Sequence, residues 1–179
     1  DTLHALMCHV GKHNDVDEQE LLKILETAVL ESLLSNVVGS NDYTFFHDRI
    51  KEAASSLLPE KDRHQLRKQI GTLLLQRGFS DDGRDWMLFT AADHLNHVLE
   101  HGPDSNKSND NDVLIQDIEL VQLNLIVGKQ SMDLACSESA SRYLQVARKT
   151  LFEIDSHWSD HYELTLRVLV ASLDVELAL

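Results

Sequence analysis

At 179 residues the chain is long enough for one sizeable core or two small ones, and a hydrophobic content of 42% excludes wholesale disorder. Its 30 acidic against 16 basic residues leave a net charge of −14, a field that repels nucleic acid unless a local basic patch overcomes it. The one basic concentration, Lys61, Arg63, His64, Arg67 and Lys68, is interleaved with Glu60 and Asp62 and reads as a solvated helix face.

In chain order, Leu3, Leu6, Met7 and Val10 place an apolar stripe on a short helix over 2–10, which Gly11 ends. Asp17 predicts the N-cap of a second helix, with Glu20 completing a capping-box-like pair. The stripe of that helix runs through Leu21, Leu22, Ile24, Leu25 and Ala28 and on to Leu33 and Leu34, as one long helix or as two with a bend near Thr27. Val37-Val38, the turn Gly39-Ser40-Asn41-Asp42 and Thr44-Phe45-Phe46 read as a β-hairpin. His47 and Asp48 follow at a strand-to-helix junction, where Asp48 is expected to cap the new helix and His47 to face whatever packs beside it. That helix carries Ile50, Ala53, Ala54, Leu57 and Leu58 and ends at Pro59. Helical pieces, a hairpin and a closing helix make a winged-helix-like unit over 1–59.

After Pro59 the pattern is helical without a strand signal. Helices are predicted over Glu60–Gln76, Trp86–His101, Val113–Leu134, Ser137–Phe152 and Asp160–Leu179. Residues 78–83 read as a loop, and the polar, Gly- and Pro-containing stretch 102–112 reads as a flexible connection. Such a series stacks as antiparallel pairs, each burying its face against its neighbours. Ala140, Tyr143, Leu144 and Ala147 alternate small and large residues on one face, as tetratricopeptide-type pairs require. The expected fold is therefore mainly α, a small winged-helix-like N-terminal unit followed by a TPR-like α-helical repeat array over 60–179.

Few residues suggest chemistry. Cys8 and Cys136 are far apart, form no CxxC pair and sit in apolar segments, which reads as buried thiols in a reduced, cytoplasmic setting. No run approaches the length of a membrane span, no signal sequence opens the chain, and a first residue that is Asp1 suggests a piece of something longer. His94, His97 and His101 share a helix face, as do the pairs His9/His13 and His157/His161, and all read as solvated or packing faces before they read as metal ligands. Trp86 and Trp158 read as core or staple residues first and as an exposed peptide-binding pocket second. No nucleophile constellation assembles, so the expectation is a non-enzyme with no metal and no cofactor of its own.

Phe46-His47-Asp48-Arg49, Ala53-Ala54-Ser55-Ser56-Leu57-Leu58-Pro59 and Ile70-Gly71-Thr72-Leu73-Leu74-Leu75 resemble a segment of multidomain serine/threonine and hybrid histidine kinases that carry an ATPase module of the AAA/STAND type. His94-Leu95-Asn96, the stretch Gln122 to Lys129 and Tyr162 to Leu166 resemble later landmarks of the same helical region. The resemblance implies a regulatory and protein-interaction segment of a signal-transducing ATPase or kinase, working with protein partners or a neighbouring ATPase domain, without nucleic acid or membrane. It also implies that His47 approaches the β-phosphate of ATP or ADP bound elsewhere in the parent. The chain has no GxxxxGK[ST] loop and no kinase motif, so nucleotide chemistry is not expected of these residues. The alternative is the winged-helix DNA-binding domain of a transcriptional regulator, whose recognition helix near Ala28–Ser35 would offer Glu31 and neither Lys nor Arg.

Overall fold

A computed structural model describes residues 18–39, 42–79, 85–101 and 117–179. The protein is mainly helical, with eight helices and one two-stranded sheet among the described residues. It divides into two compact units, residues 1–69 and 70–179. The predicted helix over 2–10, the Asp17 cap and the 102–112 connection lie outside the described residues.

In the first unit, α1 spans Glu18–Leu30 and ends earlier than its apolar stripe suggests. Ser32 adopts φ +57°, its amide donates to Val29 O (3.0 Å) and that of Leu33 donates to Ala28 O (2.8 Å). This left-handed closure satisfies the last carbonyls and turns the chain out of the helix. Leu34–Asn36 (β1) therefore pairs with Tyr43–Phe45 (β2), with Leu34 opposite Phe45 and Asn36 opposite Tyr43. The hairpin is present but its first strand lies three residues earlier than expected. Val37 and Val38 belong to the connection, which Val37 N closes on Asp42 O at 3.0 Å, and Gly39 supplies its φ of +88°. Most of Ala28–Ser35, where a recognition helix was expected in the alternative reading, is the turn after α1 and β1.

Helix α2 spans Asp48–Ser56 and α3 spans Glu60–Gly78. The cap of α2 is a correction to the sequence reading. His47, in extended conformation, occupies the N-cap and its Nδ1 accepts the Arg49 amide at 3.1 Å. Asp48 is the first helical residue, where its charge suits the helix dipole. Among the described residues of this unit Leu21 alone is a buried hydrophobic side chain.

The second unit contains the end of α3, then α4 (Asp85–His101), α5 (Asp117–Asp133), α6 (Ser137–Phe152), the short α7 (His157–Asp160) and α8 (Tyr162–Ala178). One apolar cluster joins Leu74 and Leu75 of α3 to Met87, Leu88, Ala91 and Leu95 of α4 and to Leu123 and Val127 of α5. A second joins Val121 and Leu125 of α5 to Ala140, Leu144, Ala147 and Leu151 of α6 and to Val168, Ala171 and Val175 of α8. Because α5 contributes to both, it is the spine of the unit.

Two helix pairs make the same close approach. A Cβ added to Gly71 on α3 would lie 2.6 Å from Leu95 Cγ and 3.4 Å from the carbonyl oxygen of Ala91, four residues before Leu95. A Cβ added to Gly128 on α5 would lie 2.8 Å from Leu144 Cγ and 3.6 Å from the carbonyl oxygen of Ala140, four residues before Leu144. In each pair a missing side chain on the first helix admits a leucine of the second, and an alanine one turn earlier keeps the backbones close. The four-residue face Ala140, Tyr143, Leu144 and Ala147 is buried, as its pattern predicts.

Between the two pairs lies a buried polar lock. Asn96 of α4 and Asn124 of α5 exchange side-chain amide hydrogen bonds of 2.7 and 2.9 Å, and Asn124 also donates to Leu120 O at 3.0 Å. Two amides facing each other satisfy each other's donor and acceptor in one register only.

Candidate functional site

His47 stands exposed at the β2–α2 junction. Its Nδ1 is engaged as an acceptor, so the neutral ring carries its proton on Nε2. The imidazole is thus oriented by the very helix it caps, and the remaining ring nitrogen is a donor. By geometry alone it is a cap with one donor to spare.

His94, His97 and His101 lie on α4, where the rings of His97 and His101 stand 4.6 Å apart and His101 Nδ1 approaches His97 O at 3.3 Å. His157 Nδ1 lies 2.6 Å from Ile154 O, so its ring closes the turn after α6. His9 and His13, with Cys8, lie outside the described residues. Among the described residues no three His, Cys, Asp or Glu side chains gather as a metal-binding group, and no helix is long and apolar enough to cross a membrane. Cys136 is exposed, contrary to the buried thiol expected. It follows Ala135 (φ +57°), where the chain leaves α5 for α6.

Two clefts lie within the second unit. One, of about 430 Å³, lies between α4 and α6 around Asp93, His97, Glu100, Tyr143 and Lys149. Here Tyr143 donates its hydroxyl to Asp93 Oδ1 at 2.8 Å and meets Phe89 edge-on at 6.0 Å. Burial and the Asp93 hydrogen bond push the tyrosine pKa up to about 12. That tyrosine is a fixed donor, not a proton carrier near neutral pH.

The second cleft, of about 500 Å³, lies between α5 and α8, with Gln122, Leu125 and Ile126 on one side and Asp160, Glu163 and Arg167 on the other. Tyr162, which lines this cleft, ends an aromatic string that leads from Phe152 to His157 (5.3 Å), Trp158 (5.8 Å) and Tyr162 (5.9 Å). Trp158 is 49% exposed and Trp86 is 55% exposed, so neither is the core residue expected first. Hydrogen bonds from Ser156, and then Ser159, hold the Asp160 carboxyl below the usual carboxylate pKa. The exposure of Trp158 and Tyr162 was beyond sequence reading, because a helical period shows which residues share a face but not which face is covered.

Three of the stretches quoted above, Ile70–Leu75, His94–Asn96 and Gln122–Lys129, touch one another within this unit. Leu95 fills the gap above Gly71, Asn96 holds Asn124, and Gly128 receives Leu144. Their proximity is one of side-chain packing and an amide pair. In comparisons with protein-family profiles, curated proteins and solved structures, nothing matches this chain.

Proposed function

We propose that the chain is a non-catalytic regulatory and protein-interaction segment of a larger signal-transducing ATPase or kinase of the AAA/STAND type. In this reading a winged-helix-like unit over 1–59 precedes a TPR-like helical array over 60–179, and the parent is cytoplasmic and holds ATP or ADP in another domain. The observation that carries the reading is the duplicated approach, Gly71 with Leu95 and Ala91, then Gly128 with Leu144 and Ala140. Helix pairs built on one packing rule stack side by side and leave long faces for partners. The buried Asn96–Asn124 pair supports the same reading, since it fixes the register of one pair on the next.

The first unit supports the regulatory half. Hairpin, His47 and α2 follow in the order of the resemblance, and His47 keeps a donor nitrogen suited to a phosphate oxygen. The experiment separates the sensor from the cap. In the parent, His47→Ala and His47→Asp are each to be tested for ADP release. Asp is a good N-cap but an acceptor only, so it restores the helix end and not the phosphate contact. Loss of a charge-assisted hydrogen bond worth roughly 1.5–3 kcal/mol speeds release about tenfold or more in both variants. If His47→Asp releases ADP at the wild-type rate, His47 is a cap and the sensor role is wrong.

A further inference from the structure

Helix α8 buries Thr165, Val168, Ala171, Ser172 and Val175. The opposite face carries Tyr162, Leu166, Val170, Leu173 and Leu177, which are 59, 45, 48, 58 and 88% exposed. At about 100° per residue these five fall in one arc of roughly 80°, so they form a single stripe along the whole helix. Isolated exposed leucines are ordinary, but a continuous stripe of this kind marks a face that binds something.

Charge says what. Beside the stripe on α8 stand Glu163 and Asp174, with Asp160 at its start and Arg167 as the opposing charge. Glu176, on the other flank, is 3.6 Å from Arg148 and so is already engaged. The surplus along the stripe is acidic, and it belongs to a chain of net charge −14. A second copy would bring the same acidic flank and the same net charge against this face, which disfavours self-association. An apolar stripe of about four turns with acidic flanks is complementary to an amphipathic helix whose flanks are basic.

We infer that the exposed face of α8 docks a basic amphipathic helix of a partner protein. The leucines of the partner lie along Leu166, Val170 and Leu173, and its Lys or Arg side chains face Asp160, Glu163 and Asp174. Tyr162 lies at one end of the stripe, next to the exposed Trp158, where a cationic side chain finds an aromatic face as well as a carboxylate. This deepens the protein-interaction reading of the helical unit and rests on it. The ADP-release assay for His47 does not depend on α8, so the two ideas fail separately.

The probe is a synthetic 17-residue helix with leucines at i, i+4, i+7 and i+11 and lysines beside them, and the control replaces every lysine by glutamate. Titrating the labelled peptides with the whole chain is expected to give saturable binding of the lysine form with a Kd on the order of 10 µM. The glutamate form should bind at least about tenfold more weakly. The double variant Leu166→Ser/Leu173→Ser, altered only at exposed positions, should keep its circular dichroism and melting curve and bind the lysine form at least about tenfold more weakly. Equal binding of the two peptides, undiminished binding by the double variant, or no saturation below about 1 mM overturns the inference. Sedimentation at the same concentrations decides against it in favour of a second copy if the chain alone is a dimer that the double variant abolishes. Binding by this chain but not by the larger parent would show that the parent covers α8 with its own residues and would also overturn it.

Discussion

The two units hold their shapes by different means. Among the described residues of the first, only Leu21 is a buried hydrophobic side chain, and the visible order comes from a three-residue ladder, a left-handed helix cap and the His47 cap. The second closes two apolar clusters across five helices and locks them with an Asn–Asn pair. Local hydrogen bonds contribute about 1 kcal/mol each, whereas a fully buried Leu contributes about 1.5–3 kcal/mol. The described part of the first unit should therefore open more readily than the second, as hydrogen exchange would read. Both tryptophans, Trp86 and Trp158, lie in the second unit, so tryptophan fluorescence follows that unit selectively.

The largest contrast comes from core truncation. Leu123, fully buried on α5, should cost the second unit about 2–5 kcal/mol when changed to Ala. Leu30→Ala in the first unit, at a side chain 84% exposed, should change stability by no more than about 0.5 kcal/mol. Urea unfolding followed by fluorescence and by amide exchange measures both. A comparable loss at Leu30 would break the comparison.

The polar lock comes next. Asn124→Leu strands the amide of Asn96 in the interior and should cost about 1–3 kcal/mol. Adding Asn96→Leu should recover most of that loss, giving a strongly non-additive double-mutant cycle. Additive losses would show that the two amides do not act as one element.

Alkaline pH sharpens the contrast further. The Tyr143 hydroxyl is pushed up to about 12 by burial and by donation to Asp93. Its folded pKa lies above the ordinary value near 10, so the folded state favours the protonated form. The associated stabilisation is complete below about pH 10 and is lost as pH rises towards 12. The urea midpoint of the second unit should fall more steeply through that window in the wild type than in Tyr143→Phe, and parallel curves would refute the account.

The smallest effect is a gain. Ala135 holds φ +57° at the end of α5, where Cys136 N donates to Ser131 O and Ala135 N to Met132 O, both at 2.8 Å. Glycine adopts that conformation without strain, so Ala135→Gly should stabilise the second unit by about 1 kcal/mol. The equivalent Ser32→Gly in the first unit should leave the tryptophan-detected transition where it is.

The helices were legible because their signals are local. Ser137–Phe152 was read to the residue, and Asp85–His101 began one residue before the expected start at Trp86. The misplaced hairpin traces to a non-glycine residue that takes φ > 0. Nothing in Leu33-Leu34 says that Ser32 will turn left-handed, so the stripe ran on in the sequence reading and the hairpin was placed too late. His47 was visible as a junction residue, but its role as the cap was given to Asp48, because either side chain can accept an amide and only the backbone geometry chooses.

By itself the sequence determined a mainly helical chain with one short hairpin, since periodicity and turn chemistry act over a few residues. Only the tertiary structure decided that Gly71 and Gly128 play the same part, that Asn96 finds Asn124 over 28 positions, and that one face of α8 stays open. Those facts depend on which faces meet, and a pattern along one helix carries no information about its neighbour.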